Sequence, residues 1–172
     1  MENHNTMDSI ETLVRDLESA RSYTTTILNT VDPADWYRSP GDAVTHIAWQ
    51  VGHLAVAQYR LALVVVRGPK PDDEPLISQD FAKRFAPGSV PVSSLKDGPS
   101  VEEIRAVFER VHTQAVAETR ELNPNVLDAS AGFEHPMFST KGGSIRWSAQ
   151  HEFTHAGQIS LLRRLLGRTW LW

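Results

Sequence analysis

A chain of 172 residues with 41% hydrophobic content is long enough to bury one sizeable core and too short for two ordinary domains. A single domain over 1–172 is therefore expected, with 1–7 flexible. The 17 basic and 21 acidic residues are interspersed and sum to −4, so no basic stripe marks a nucleic-acid partner. Cysteine is absent, which excludes disulfides, thiolate ligation and cysteine nucleophiles and leaves histidine and carboxylate as the strong metal ligands.

The segment Met1 to Met7 is polar and does not read as a signal peptide, and the longest aliphatic run, Leu61 to Val66, is too short to cross a bilayer. The default expectation is a cytoplasmic protein without a membrane partner. Ile10, Leu13, Val14, Leu17, Thr24, Leu28 and Val31 recur at three- and four-residue steps and predict a first helix from Asp8 to about Val31, with Asp8 and Glu11 as a capping box. Pro33 and the stretch Arg38-Ser39-Pro40-Gly41 break it. Asp42 is placed to cap a second helix that runs to Arg67 and stops at Gly68-Pro69.

The proline-rich stretch from Gly68 to Pro99, holding one short helical candidate at Leu76 to Ala86, has the length of a crossover between helices that are not antiparallel neighbours. Ser100 and Glu103 then cap a third helix ending near Leu122, with the stripe Ile104, Val107, Phe108, Val111 and Ala115. After an irregular stretch, Asn123 to Gly143, a fourth helix is predicted from Ser144 to Leu166, stopped by Gly167. No segment reads as a strand. Four amphipathic helices bury their stripes together most simply as an all-α four-helix bundle.

His151-Glu152-Phe153-Thr154-His155 matches HExxH, in which two histidines one turn apart can grip one metal ion. A zinc protease would take its third ligand downstream, but no histidine, aspartate or glutamate follows His155 in the sequence. His151 and His155 share a stripe with Ile159 and Leu162, while Glu152 lies roughly 100° away, a bystander rather than a base. The third ligand is then expected from another helix's inward face. His53, in phase with Trp49, Ala57, Leu61 and Val64, is the candidate, and three imidazoles would leave an open position.

Taken singly, each histidine is more simply a hydrogen-bonded core residue; the i, i+4 pair makes a shared metal the economical solution to burying both. His46 competes with His53, about 10 Å away along the helix. His53 is favoured because it is central and follows Gly52, which lets a neighbouring backbone approach, whereas His46 is near the exposed end. His4, His112 and His135 read as solvated. Trp49 and Trp147, each one turn before a ligand candidate, read equally as pocket wall or core. Gln158 reads as surface or as an orienting partner of His155, and Arg163, Arg164 and Arg168 as solvated charge.

The segment Ile47-Ala48-Trp49-Gln50-Val51-Gly52-His53-Leu54-Ala55, followed about a hundred residues later by His151-Glu152-Phe153-Thr154-His155-Ala156-Gly157-Gln158-Ile159, resembles the DinB-like (DinB/YfiT) metalloenzymes over all four helices. The resemblance implies an up-down-down-up bundle with the crossover after Gly68, and metal ligands His53, His151 and His155. That family includes thiol-dependent S-transferases using bacillithiol or mycothiol, an isomerase, and hydrolase-like members.

The function expected is therefore a metal-dependent enzyme acting on a small molecule, a thiol-dependent S-transferase or a hydrolase. The alternative is a non-catalytic metal-binding or stress-related bundle. A divalent ion, zinc or nickel first and iron next, is the expected cofactor, and a low-molecular-weight thiol an expected partner. The apolar end Trp170-Leu171-Trp172 must cover the bundle or meet a second copy, which suggests a homodimer.

Overall fold

Each long helix begins where a side chain can accept from its unsatisfied first amides. The computed structural model describes residues 9–41, 45–92 and 95–171. Helix α1 (Ile10–Leu28) is capped by Ser9, whose hydroxyl accepts from the Thr12 amide; Asp8, the predicted cap, lies outside the described residues. Helix α2 (Ile47–Gln58) is capped by His46, whose Nδ1 accepts from the Trp49 amide. Asp42, expected in that role, is likewise outside them. The helix continues through a π-helical turn, Tyr59–Val64, into the short α3 (Val65–Arg67) and stops at Gly68, whose φ of +83° favours glycine.

The crossover holds α4 (Gln79–Arg84), shorter than expected. It is tied down by Asp73, which accepts from Arg67 Nη2 at 2.8 Å and from Tyr59 Oη at 3.0 Å. Helix α5 (Val101–Arg120) starts at Ser100 as read from the sequence, its hydroxyl accepting from the Glu103 amide. Two strands then appear where none was expected: β1 (Ser130–His135) and β2 (Phe138–Thr140) pair antiparallel with a register shift. The strand signal is weak because Gly132 takes φ +85°, Pro136 follows at once, and the pairing is irregular, so apolar and polar residues do not alternate.

Helix α6 (Lys141–Leu165) begins three residues before the predicted start, capped by Thr140. Its glycines Gly142 and Gly143 do not break it, because the hairpin packs there: a Cβ on Gly143 would lie 3.0 Å from Phe138 Cβ. Helix α1 packs against α5 and α6, and α2 against the same two. The core between them is built from Leu17, Ile27, Ile47, Val51, Phe108 and Ile159 and their neighbours. The protein is thus mostly helical with one small sheet. Among the described residues no helix is long and apolar enough to cross a membrane.

The C-terminal arginines are not all solvated. Arg163 is buried and donates to the Thr169 carbonyl, and Arg168 Nε donates to Asp35 Oδ2 at 2.7 Å, pinning the tail to the α1–α2 connection. Leu171 packs on the core, while Trp170 is exposed under the Arg164 guanidinium.

Candidate metal centre

Three imidazoles meet between α2 and α6. His53 lies on α2, His151 and His155 on α6, and one nitrogen from each falls within 4.8 Å of the others. Ring centroids are 5.3 Å apart for His53 and His151, 4.9 Å for His53 and His155, and 4.4 Å for the α6 pair. The i, i+4 spacing puts the α6 rings one above the other on the face that meets α2.

Second partners fix two of the rings. His53 Nδ1 donates to the Phe85 carbonyl at 2.9 Å, and His155 Nδ1 donates to Gln50 Oε1. Each therefore keeps its proton on Nδ1 and turns the Nε2 lone pair inward, the arrangement seen where a histidine binds metal through one nitrogen and is oriented through the other. His151 Nε2 lies 3.2 Å from His155 Nε2, and its buried Nδ1 has no hydrogen-bond partner.

Two nitrogens bound to one tetrahedral ion at about 2.0–2.1 Å are about 3.3 Å apart, so the 3.2 Å spacing of the His151 and His155 nitrogens suits a shared cation, with the His53 nitrogen within 4.8 Å of both. Burial pushes His151 down to about 4 and His155 to about 3, with neighbouring imidazoles adding to the effect, and burial lowers His53 as well. All three are neutral at pH 7, as ligation requires. The residues present fit a divalent ion.

Gly52 makes room for this geometry, though not for a backbone. A Cβ there would sit 2.5 Å from the Phe85 ring, the residue whose carbonyl orients His53. Trp49 braces the other side: its indole stacks on His53 at 4.8 Å and 5°, and its Nε1 donates to Ser89 Oγ.

His46 is excluded from the centre by its own commitments. It is buried, not exposed as expected; Nδ1 accepts from Trp49 and Nε2 donates to the Val92 carbonyl at 2.7 Å. His112 is also half-buried rather than solvated, its Nδ1 accepting from Gln58 Nε2. Burial and the nearby Arg21 charge push it down to about 3. Gln158 is exposed. His4 lies outside the described residues.

Glu152 turns away from the histidines and into the core. Its carboxylate receives Arg21 Nε at 2.9 Å and Nη2 at 3.2 Å, and Arg21 also donates to Gln58 Oε1 and to the Phe108 carbonyl. The HExxH glutamate therefore lies away from the histidine cluster, as read from the sequence, and links α6 to α1. Gln50 was missed by sequence reasoning; its signal is its place three residues before His53, on the same helical face.

Beside His53 and His151 opens a cavity of about 440 Å³, walled by Leu61, Val64, Trp147 and Phe133 and carrying Arg60 and His135. Larger depressions of about 610 and 880 Å³ lie around the hairpin and include none of the three histidines. Trp147 is thus a wall of the cavity next to the cluster. His135, expected to be solvated, is a half-buried part of the same wall.

Helices converging three imidazoles, with a cavity at their side, define a helical protein with a site that could hold one metal ion. The chain belongs to the DinB superfamily, whose family model matches residues 16–159. Among solved structures it is similar to an uncharacterised protein from Escherichia coli UTI89, with 14% identity, TM-score 0.63, and 95% of this chain and 97% of that chain covered. It is also similar to the colibactin self-resistance protein ClbS, solved in complex with a dsDNA, with 18% identity, TM-score 0.60 and coverage of 91% and 96%. These likenesses concern the fold. No curated protein matches the chain.

Proposed function

We propose that the protein is a metal-dependent enzyme acting on a small molecule, a thiol-dependent S-transferase or a hydrolase, built as a single-domain up-down-down-up bundle. The observation that carries this reading is that His53 and His155 each spend Nδ1 on an orienting acceptor, leaving Nε2 for a shared ion. His53, His151 and His155 would hold it, with zinc or nickel first in line. A divalent ion there would supply an electrophile able to ionise water or a thiol at neutral pH.

The chain's own residues do the positioning. Phe85 and Gln50 fix ring tautomers, Trp49 holds the plane of His53, and Trp147 and Leu61 form an apolar wall of the cavity beside the site. The test is elemental analysis of tag-free protein after exposure to zinc and nickel, beside His53→Ala and His155→Ala. About one ion per chain is expected in the wild type and a sharp loss in both variants; a wild type without bound metal overturns the reading. Turnover of thiol and electrophile pairs, against hydrolysable esters and amides, then separates transfer from hydrolysis.

A further inference from the structure

The cavity beside the cluster has a charge character that its apolar walls do not explain. Arg60 lies on the π-helical turn one residue beyond Tyr59, exposed at the cavity, and among the described residues it forms no ion pair with a carboxylate. Among the described residues no aspartate or glutamate lines the cavity. The other polar group on its wall outside the cluster is His135. Its Nδ1 accepts from the Met137 amide at 3.2 Å, so its proton sits on Nε2 and the ring offers a donor. Both polar groups brought by the walls are thus donors, one a full cation.

The π-turn accounts for the placement. Such turns are uncommon and cluster at functional sites, and this one carries Arg60, Leu61 and Val64 together to the cavity. Its backbone is anchored to α6, because Ser144 Oγ donates to the Leu61 carbonyl at 2.8 Å. A guanidinium with no ion-pair partner among the described residues, set at an apolar cavity, recognises a carboxylate-like group attached to an apolar body.

We propose that this cavity takes an organic anion with an apolar body, its charged group held by Arg60 and its body lying against Leu61, Val64 and Trp147. This names a substrate class for the site and rests on the reading of that site as the place of reaction. The anion-reading residue would set specificity and need not touch the metal.

The test uses 4-phenylbutyrate and its neutral amide, 4-phenylbutyramide, titrated calorimetrically into metal-loaded and metal-free protein, with metal content measured on the same samples. The carboxylate is expected to bind about tenfold or more tightly than the amide. That preference should vanish in Arg60→Gln, survive in part in Arg60→Lys, and persist in metal-free wild type. Equal binding of the two probes by the wild type, or a preference undiminished in Arg60→Gln, overturns the proposal. Failure of the metal reading shows separately, as wild-type protein that retains no metal.

Discussion

Arg21 on α1 and Glu152 on α6 form a buried ion pair, Nε to Oε1 at 2.9 Å, at the residue next to the ligand candidate His151. Both side chains are buried, so removing one partner leaves the other's charge poorly compensated in the core, with only the exposed Glu109 at 4.0 Å from Arg21. Glu152→Gln or Arg21→Met is expected to lower unfolding free energy by about 3–5 kcal/mol, measured by urea denaturation. The double variant Arg21→Met with Glu152→Leu should recover part of that loss, since no charge is left unpaired. A Glu152→Gln protein of unchanged stability that had lost only turnover would instead make this glutamate a base.

Gln50 offers a gentler perturbation of the centre. It is buried and orients His155 without being a ligand candidate. Gln50→Leu is expected to weaken metal affinity by about 10- to 100-fold, read by competition with a chromophoric chelator, while one-ion stoichiometry at saturating metal is kept. Unchanged affinity would mean that His155 needs no orienting partner.

Gly52→Ala probes the contact that seats Phe85. The new methyl would overlap a ring now 2.5 Å from its position, and the Phe85 carbonyl that holds His53 would move with it. A loss of about 1–3 kcal/mol is expected from overpacking, together with weaker metal binding. Adding Phe85→Leu should restore stability more than affinity if the ring is the obstacle.

Acid should destabilise the fold through its buried neutral histidines. His112 sits at about 3 when folded against an ordinary 6.5, chiefly through burial and then through the Arg21 charge. As pH falls below about 6.5 the unfolded chain takes up a proton that the folded chain refuses. Stability is therefore full above that value and declines toward pH 3. Denaturation curves across this range should show a slope shallower by about one proton in His112→Gln than in wild type; identical slopes would assign the acid sensitivity to other groups.

The sequence made the long helices and the three converging histidines legible, because a 3.6-residue stripe and an i, i+4 pair survive in any packing consistent with them. It did not reveal the hairpin, since the register shift and Gly132 erase the alternation that identifies a strand. Capping was readable at Ser100, where the signal is local, and not at His46, whose imidazole caps only because the crossover carbonyl of Val92 fixes its other nitrogen. Glu152 was placed correctly away from the ligand face, yet its partner Arg21 stands 131 residues away, beyond the reach of helical phase. Gln50 and Arg60 escaped for the same reason: their meaning lies in what faces them.

The turn at Tyr59–Val64 also bears on how this bundle can vary. A π-turn accommodates one more residue than the α-helical path it replaces, so a similar bundle with an uninterrupted helix would present its cavity wall one chain position earlier. Two such proteins could share ligand histidines in strict register and still draw the residue that meets the substrate from different columns of an alignment. Drift in what the cavity accepts could then proceed by slippage of a single residue in this helix, leaving the half that carries His53 untouched.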